Sequence, residues 1–167
     1  MEQARSRARR TAPETDTLPC LQRPAHFTLP GFCSDDDLGH WIDAVESFIL
    51  HAGCAGGLDA DSAFFLGVAL REALMNAVRH GVGQSGRPWV RVSVRALRRG
   101  VLAITVRDHG PGFDPGGVAD PLRPENLDRS CGRGLLYMRR FTDHLAFAFP
   151  GHGAVVRLEK RLPHAGR

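Results

Sequence analysis

The chain has 167 residues, 43% hydrophobic and 24% charged, a balance that fits one globular domain with a sizeable core and excludes wholesale disorder or a coiled-coil fibre. No run approaches the ~18 apolar residues of a membrane span, and the arginines at the start have no apolar stretch behind them as a secretory signal would; the expectation is a cytoplasmic protein with no membrane contact. Of the 22 cationic side chains 21 are arginine and only Lys160 is lysine, which excludes a GxxxxGK[ST] phosphate loop and a Schiff-base mechanism; the net charge of +4 is concentrated in Arg5, Arg7, Arg9 and Arg10, so the near-neutral body argues against a generic nucleic-acid binder.

Residues 1–24, rich in Arg, Thr and Pro, read as a flexible basic arm, with 25–162 as the folded domain and 163–167 as a tail. Residues 25–29 alternate as an edge strand would. Ser34 followed by Asp35, Asp36 and Asp37 supplies capping oxygens and negative charge at a helix start, and Leu38, Trp41, Ile42, Val45, Phe48 and Ile49 recur behind it at helical spacing, giving a helix that stops before Gly53. Asp59 or Asp61 caps a second helix that runs to about His80, where Gly81 and Gly83 end it. On this helix Phe64, Gly67, Leu70, Leu74, Met75, Ala77 and Val78 spread over a wide apolar arc. Phe65, Ala69, Glu72, Asn76, Arg79 and His80 share the remaining stripe, on which Glu72 and Asn76 are i,i+4 neighbours.

Two alternating strands follow at 89–97 and 101–108, turned at Arg98, Arg99 and Gly100, each with one dry and one wet face as in an antiparallel sheet covered by helices on one side. Between Gly110 and Gly132 the chain is dense in Pro, Gly and Asp, a long loop of the kind that serves as a lid or stays disordered. A short helix over 133–141 precedes a closing strand pair, 145–149 and 154–162. Cys20, Cys33, Cys54 and Cys131 form no CxxC and no histidines have HExxH spacing, so zinc is not expected and the cysteines read as reduced and mostly buried.

The strand period puts Asp108 on the same side as Leu102, Ile104 and Val106, where a carboxylate needs a hydrogen-bond donor. In the following His109, Gly110, Pro111, Gly112 and Phe113, two glycines let a flat or charged group approach the backbone. Adenine suits the place because its amine donates to a carboxylate; a backbone amide in an ordinary turn is the other partner this pattern allows. Gly132, Arg133 and Gly134 stand where a helix begins, and its free N–H groups attract phosphate oxygens, although glycines often precede helices. Asn76 can give Mg²⁺ a hard oxygen and Glu72 can take a proton from an attacking hydroxyl, or the pair can be a solvated helix face.

Taken together these segments resemble a known family. REALMNAVRHG from Arg71 is similar to the N box of the GHKL ATPase and kinase superfamily, DHGPGF from Asp108 to its first glycine box, and GRGLLYMRR from Gly132 to its second; the order also agrees. Within that superfamily the chain most resembles the RsbW and SpoIIAB group of anti-sigma factor serine-protein kinases, over residues 25–162. The resemblance implies an α+β, two-layer Bergerat-type sandwich whose mixed, mostly antiparallel sheet carries helices on one face. It implies ATP and Mg²⁺ as cofactors, with Asn76 on the metal, Asp108 on the adenine amine, and Gly110 and Gly112 shaping the base pocket. Gly132, Arg133, Gly134 and Leu135 would lie near the phosphates under a lid at 114–131, with Glu72 as general base. The implied activity is phosphorylation of a STAS-type anti-anti-sigma protein together with sequestration of a sigma factor, and a homodimer is compatible with the group's habit. A nucleotide-gated binding module without phosphoryl transfer is the alternative. A histidine kinase fragment is disfavoured, since no long dimerisation helix with an acceptor histidine precedes the boxes. One departure stands out: many relatives place a threonine at the start of the last strand, where this chain has Gly153 and Ala154.

Overall fold

The computed structural model describes residues 21, 23–29, 34–81, 89–97, 100–112, 133–150 and 153–163. Five strands, β1 (Ala25–Leu29), β2 (Val90–Leu97), β3 (Val101–Asp108), β4 (His144–Ala148) and β5 (Val155–Arg161), form one sheet in the order β1-β2-β3-β5-β4. Among the described residues three helices, α1 (Asp35–Ala55), α2 (Ala60–His80) and α3 (Arg133–Phe141), complete an α+β sandwich. All four pairings are antiparallel, a correction to the mixed sheet expected. The reason is topological: β3 and β4 are parallel, as a strand–helix–strand crossover through α3 requires, but β5 returns by a hairpin and inserts between them.

The helix starts follow from their caps. Ser34 and Asp37 form a capping box, the Asp37 N–H donating to Ser34 Oγ at 3.1 Å and the Ser34 N–H to Asp37 Oδ2 at 3.2 Å. Asp59, and not Asp61, caps α2, its Oδ1 accepting from the Ser62 N–H at 2.7 Å. The expected stop of α1 before Gly53 is wrong. The helix continues to Ala55 because the terminating geometry lies further on: Leu58 N–H donates to Gly53 O, Gly57 N–H to Cys54 O, and Gly57 takes the left-handed φ of 92° that closes such a motif. Gly53 instead makes room for Leu58, whose Cδ1 would stand 2.8 Å from a Cβ there.

The core lies between the helices and one sheet face, with Val90, Val92, Val94, Leu102, Ile104, Val106 and Leu158 meeting Val45, Ile49, Leu66, Leu70, Ala73 and Leu74. Leu21, assigned above to the arm, is buried in this core, so packing begins before β1. Phe64 is 65% exposed, not part of the apolar arc, and Ala69, on the remaining stripe, is fully buried. At ~100° per residue Phe64 lies roughly 160° around α2 from Leu66, on the side away from the sheet. The stripe through Phe65, Ala69, Glu72 and Asn76 is the seat of α3: Phe65 stacks on Phe141 at 4.6 Å, and Gly134 lies against Glu72 and Asn76. The two helices therefore run in opposite directions. Cys54, the only free cysteine among the described residues, is exposed where burial was expected, because it stands in the last turn of α1.

Candidate functional site

At the end of β3 the Asp108 side chain is only 7% exposed. Its Oδ1 accepts two backbone hydrogen bonds, from the Gly110 N–H at 2.8 Å and from the Ala154 N–H at 3.0 Å. The Asp108 N–H donates to Ala154 O at 3.0 Å and the Gly153 N–H to Gly110 O at 2.8 Å, so the turn after β3 and the entry to β5 are clamped together. The amides that satisfy the carboxylate are thus supplied by the fold, and both bonds fall on one oxygen. The threonine position held here by Gly153 and Ala154 contributes through its backbone, a role that sequence reasoning missed. The only sequence signal for it is Gly153 itself: its φ is 90°, and a Cβ there would collide with the Asp108 carbonyl oxygen.

The glycines of this region act by close approach. A Cβ on Gly81, just after α2, would stand 2.6 Å from Asp108 Cβ, and one on Gly110 would collide with the His80 carbonyl oxygen and lie 2.9 Å from Gly81 Cα. The end of α2 is therefore docked on the turn that carries Asp108. Gly112, at φ 75°, packs on Phe149. Asn76 stands five residues before Gly81, about 7.5 Å of helical rise. One turn further back, Glu72 meets the opening turn of α3: a Cβ on Gly134 would come 2.5 Å from Glu72 Oε2 and 3.5 Å from Asn76 Nδ2.

Glu72, Asn76 and Gly134 are thus brought together at one place, and Asp108, Gly110 and Gly112 at another, joined by the last turns of α2. Arg133 is exposed at the first position of α3, and Leu135 is buried in the core, so Leu135 reaches the site only through its backbone. Gly132, and the lid expected at 114–131, lie outside the described residues. Among the described residues no group of three or more His, Cys, Asp and Glu side chains forms a cage for a metal, and no helix is long and apolar enough to cross a membrane.

A carboxylate held at a strand end beside a helix that carries Glu and Asn, on an antiparallel sheet with its helices on one side, is the plan of an ATP-binding domain of the GHKL class. The family model for the histidine kinase-like ATPase domain matches residues 36–160, and the chain belongs to that family. It is similar to the anti-sigma F factor of Bacillus licheniformis, 36% identical over 96 residues that cover 54% of this chain and 64% of that relative, so the match leaves about a third of the relative's length unspanned. In fold it is similar to the RsbU and RsbW domains of Rv1364c from Mycobacterium tuberculosis, with a TM-score of 0.57, 17% identity, and coverage of 84% of this chain and 32% of that one. The SiaB–SiaC complex from Pseudomonas aeruginosa gives a TM-score of 0.51 at 15% identity, covering 80% of this chain and 88% of the other.

Proposed function

We propose that this chain is an ATP-dependent serine/threonine-protein kinase and anti-sigma regulatory factor, which phosphorylates a small STAS-type antagonist and, when that antagonist is modified, holds a sigma factor. The observation that supports it most directly is the placement of Glu72 beside the first turn of α3, one helical turn from Asn76. A base and a phosphate-binding helix end then share one site. The likeness to an anti-sigma F factor supports the choice of partners.

The donor set fits a magnesium nucleotide. The buried, doubly held Asp108 offers its second oxygen, Oδ2, to the amine of adenine, and Gly110 and Gly112 border that base. Asn76 would supply one hard oxygen to Mg²⁺, which would take its remaining ligands from phosphates and water. The N–H groups at the start of α3, from Arg133, Gly134 and Leu135 and with Gly132 before them, face the phosphates with the positive end of the helix dipole. Bound ATP would supply the γ-phosphoryl group, and a metal held with it would neutralise charge on the phosphate oxygens. Glu72 accepts the proton of the attacking serine hydroxyl as its oxygen bonds to the γ-phosphorus and the bond to ADP breaks. The phosphoserine adds about −1.5 to −2 charge to the antagonist's docking surface, which releases it.

The test is transfer of label from ATP to a STAS-type antagonist in the presence of magnesium, beside binding of the antagonist and of a sigma factor. Labelled antagonist is expected. Binding of both proteins with no transfer would sink the kinase reading and leave a nucleotide-gated binding module.

A further inference from the structure

The sheet face turned away from the helices carries a concentration of arginine that the whole-chain charge conceals. Strand alternation places Arg91 and Arg95 of β2, Arg107 of β3, and Arg157 and Arg161 of β5 on that face, and β2, β3 and β5 are neighbours in the sheet. Arg91 lies directly opposite Arg107, Thr105 opposite Arg157, and Val101 opposite Arg161. The one carboxylate among them, Glu159, is tied to Arg157 at 2.6 Å. Among the described residues no carboxylate forms an ion pair with Arg91, Arg95, Arg107 or Arg161, and all four are exposed. Folding gives no reason for this, because like charges directly opposite in a sheet destabilise it.

We infer that this face binds the phosphodiester backbone of a nucleic acid, independently of base sequence. Three observations select that occupant. Ser93 and Thr105, each with a hydroxyl, are register partners on β2 and β3 between the arginines, and phosphate oxygens take contacts from such hydroxyls and guanidinium groups alike. Among the described residues the face has no exposed large apolar side chain on which a protein partner would anchor: Leu97, Val101, Ala103, Ala146 and Val155 are buried or half-buried, and Ala148 is the exposed apolar position. Trp89, beside the same surface, is already stacked on His109 at 3.9 Å with the Arg91 guanidinium 5.1 Å from its ring centre, so contact runs through phosphates instead of stacked bases. Within the helix layer α1 has the opposite character, carrying Asp35, Asp36, Asp37, Asp43 and Glu46 and no Lys or Arg, while α3 carries Arg133, Arg139 and Arg140. A polyanion is thus repelled from the α1 part of the molecule.

The experiment is fluorescence anisotropy of the full chain with a labelled single-stranded oligonucleotide and its duplex, from about 50 to 300 mM salt. Charge reversal at Arg91→Glu with Arg95→Glu is expected to weaken binding of both by tenfold or more at about 100 mM salt. It should also reduce the slope of log affinity against log salt by about one per lost phosphate contact. Arg139→Glu with Arg140→Glu, the same charge change on the helix layer, is expected to have an effect severalfold smaller. Unchanged melting temperatures keep loss of fold out of the comparison. Equal effects of the two double variants would overturn the proposal, as would loss of binding on neutralising Arg5, Arg7, Arg9 and Arg10 while the β2 variant binds normally. Polyglutamate that competes as well as unlabelled oligonucleotide per charge would reassign the face to an acidic protein. A dimer that the β2 reversals dissociate would reassign it to a second copy of the chain.

Discussion

Asp108 combines two jobs that substitution can separate. Asp108→Asn keeps an oxygen to accept from the Gly110 and Ala154 amides, so the fold should survive while the second position presents a donor to a donating adenine amine. Calorimetry is expected to show ATP binding weakened tenfold or more with the urea midpoint nearly unchanged. Asp108→Ala removes the acceptor as well. Two buried N–H groups then lose their partner, and stability should drop by about 1–3 kcal/mol, measured by urea unfolding. Glu72→Gln tests the other end of the site: transfer of label to the antagonist should fall roughly 10²–10⁴-fold with ATP affinity preserved, since only the proton acceptor is lost. A variant that binds ATP and transfers at the native rate would exclude Glu72 as the base.

The elements owe their ends to local geometry that can be probed one at a time. Gly57→Ala puts a Cβ at φ 92° and should lower stability by about 1–2 kcal/mol by urea denaturation, whereas Gly39→Ala, exposed in α1 with open space where its Cβ would go, should leave it unchanged or raise it slightly. Acid tests the caps. The Ser34 hydroxyl, donating to Asp37 at 2.8 Å, and the Ser62 N–H, donating to Asp59, hold both carboxyls below the ordinary 3.8. The folded chain thus binds these protons more weakly than the unfolded one. Their stabilisation is complete above the ordinary value and fades as pH falls below it through the depressed folded values. The drop in urea midpoint caused by Asp59→Asn should be smaller at pH 3 than at pH 6. Between α1 and α2, Arg71 bridges Asp43 at 2.7 Å and Glu46 at 2.5 Å; the hydrogen bond that its guanidinium donates to Asp43 contributes most to raising its pKa. This largely exposed pair with Asp43 contributes little beyond alignment of the two helices.

Across the whole molecule, α2 is the common support. It faces the sheet with Leu66, Leu70 and Leu74, α3 with Ala69, Glu72 and Asn76, and α1 with Arg71. Leu70→Ala should therefore cost about 2–5 kcal/mol, read as a lower urea midpoint, because the site around it is packed from several sides and collapses poorly. The two layers also differ in charge, with α1 acidic and the open sheet face rich in arginine. This polarity is invisible in a net charge of +4.

Where the controlling physics is local, most elements were legible beforehand, the end of α1 being an exception. Alternation marked β1 and β3 to the residue, spacing and glycines marked α3, and the three boxes named the family, since each depends on neighbours within a few positions. Burial of Asp108 was also legible from the strand period. What tertiary structure alone decided was which faces meet. Helical phase shows that Glu72, Asn76 and Ala69 share a stripe, but only the antiparallel docking of α3 makes that stripe an interface instead of a solvated side. The strand period likewise shows that Arg91, Arg107 and Arg157 leave the core on the same side of their own strands. It takes the insertion of β5 beside β3, a long-range pairing that no local pattern encodes, to set them side by side on one surface.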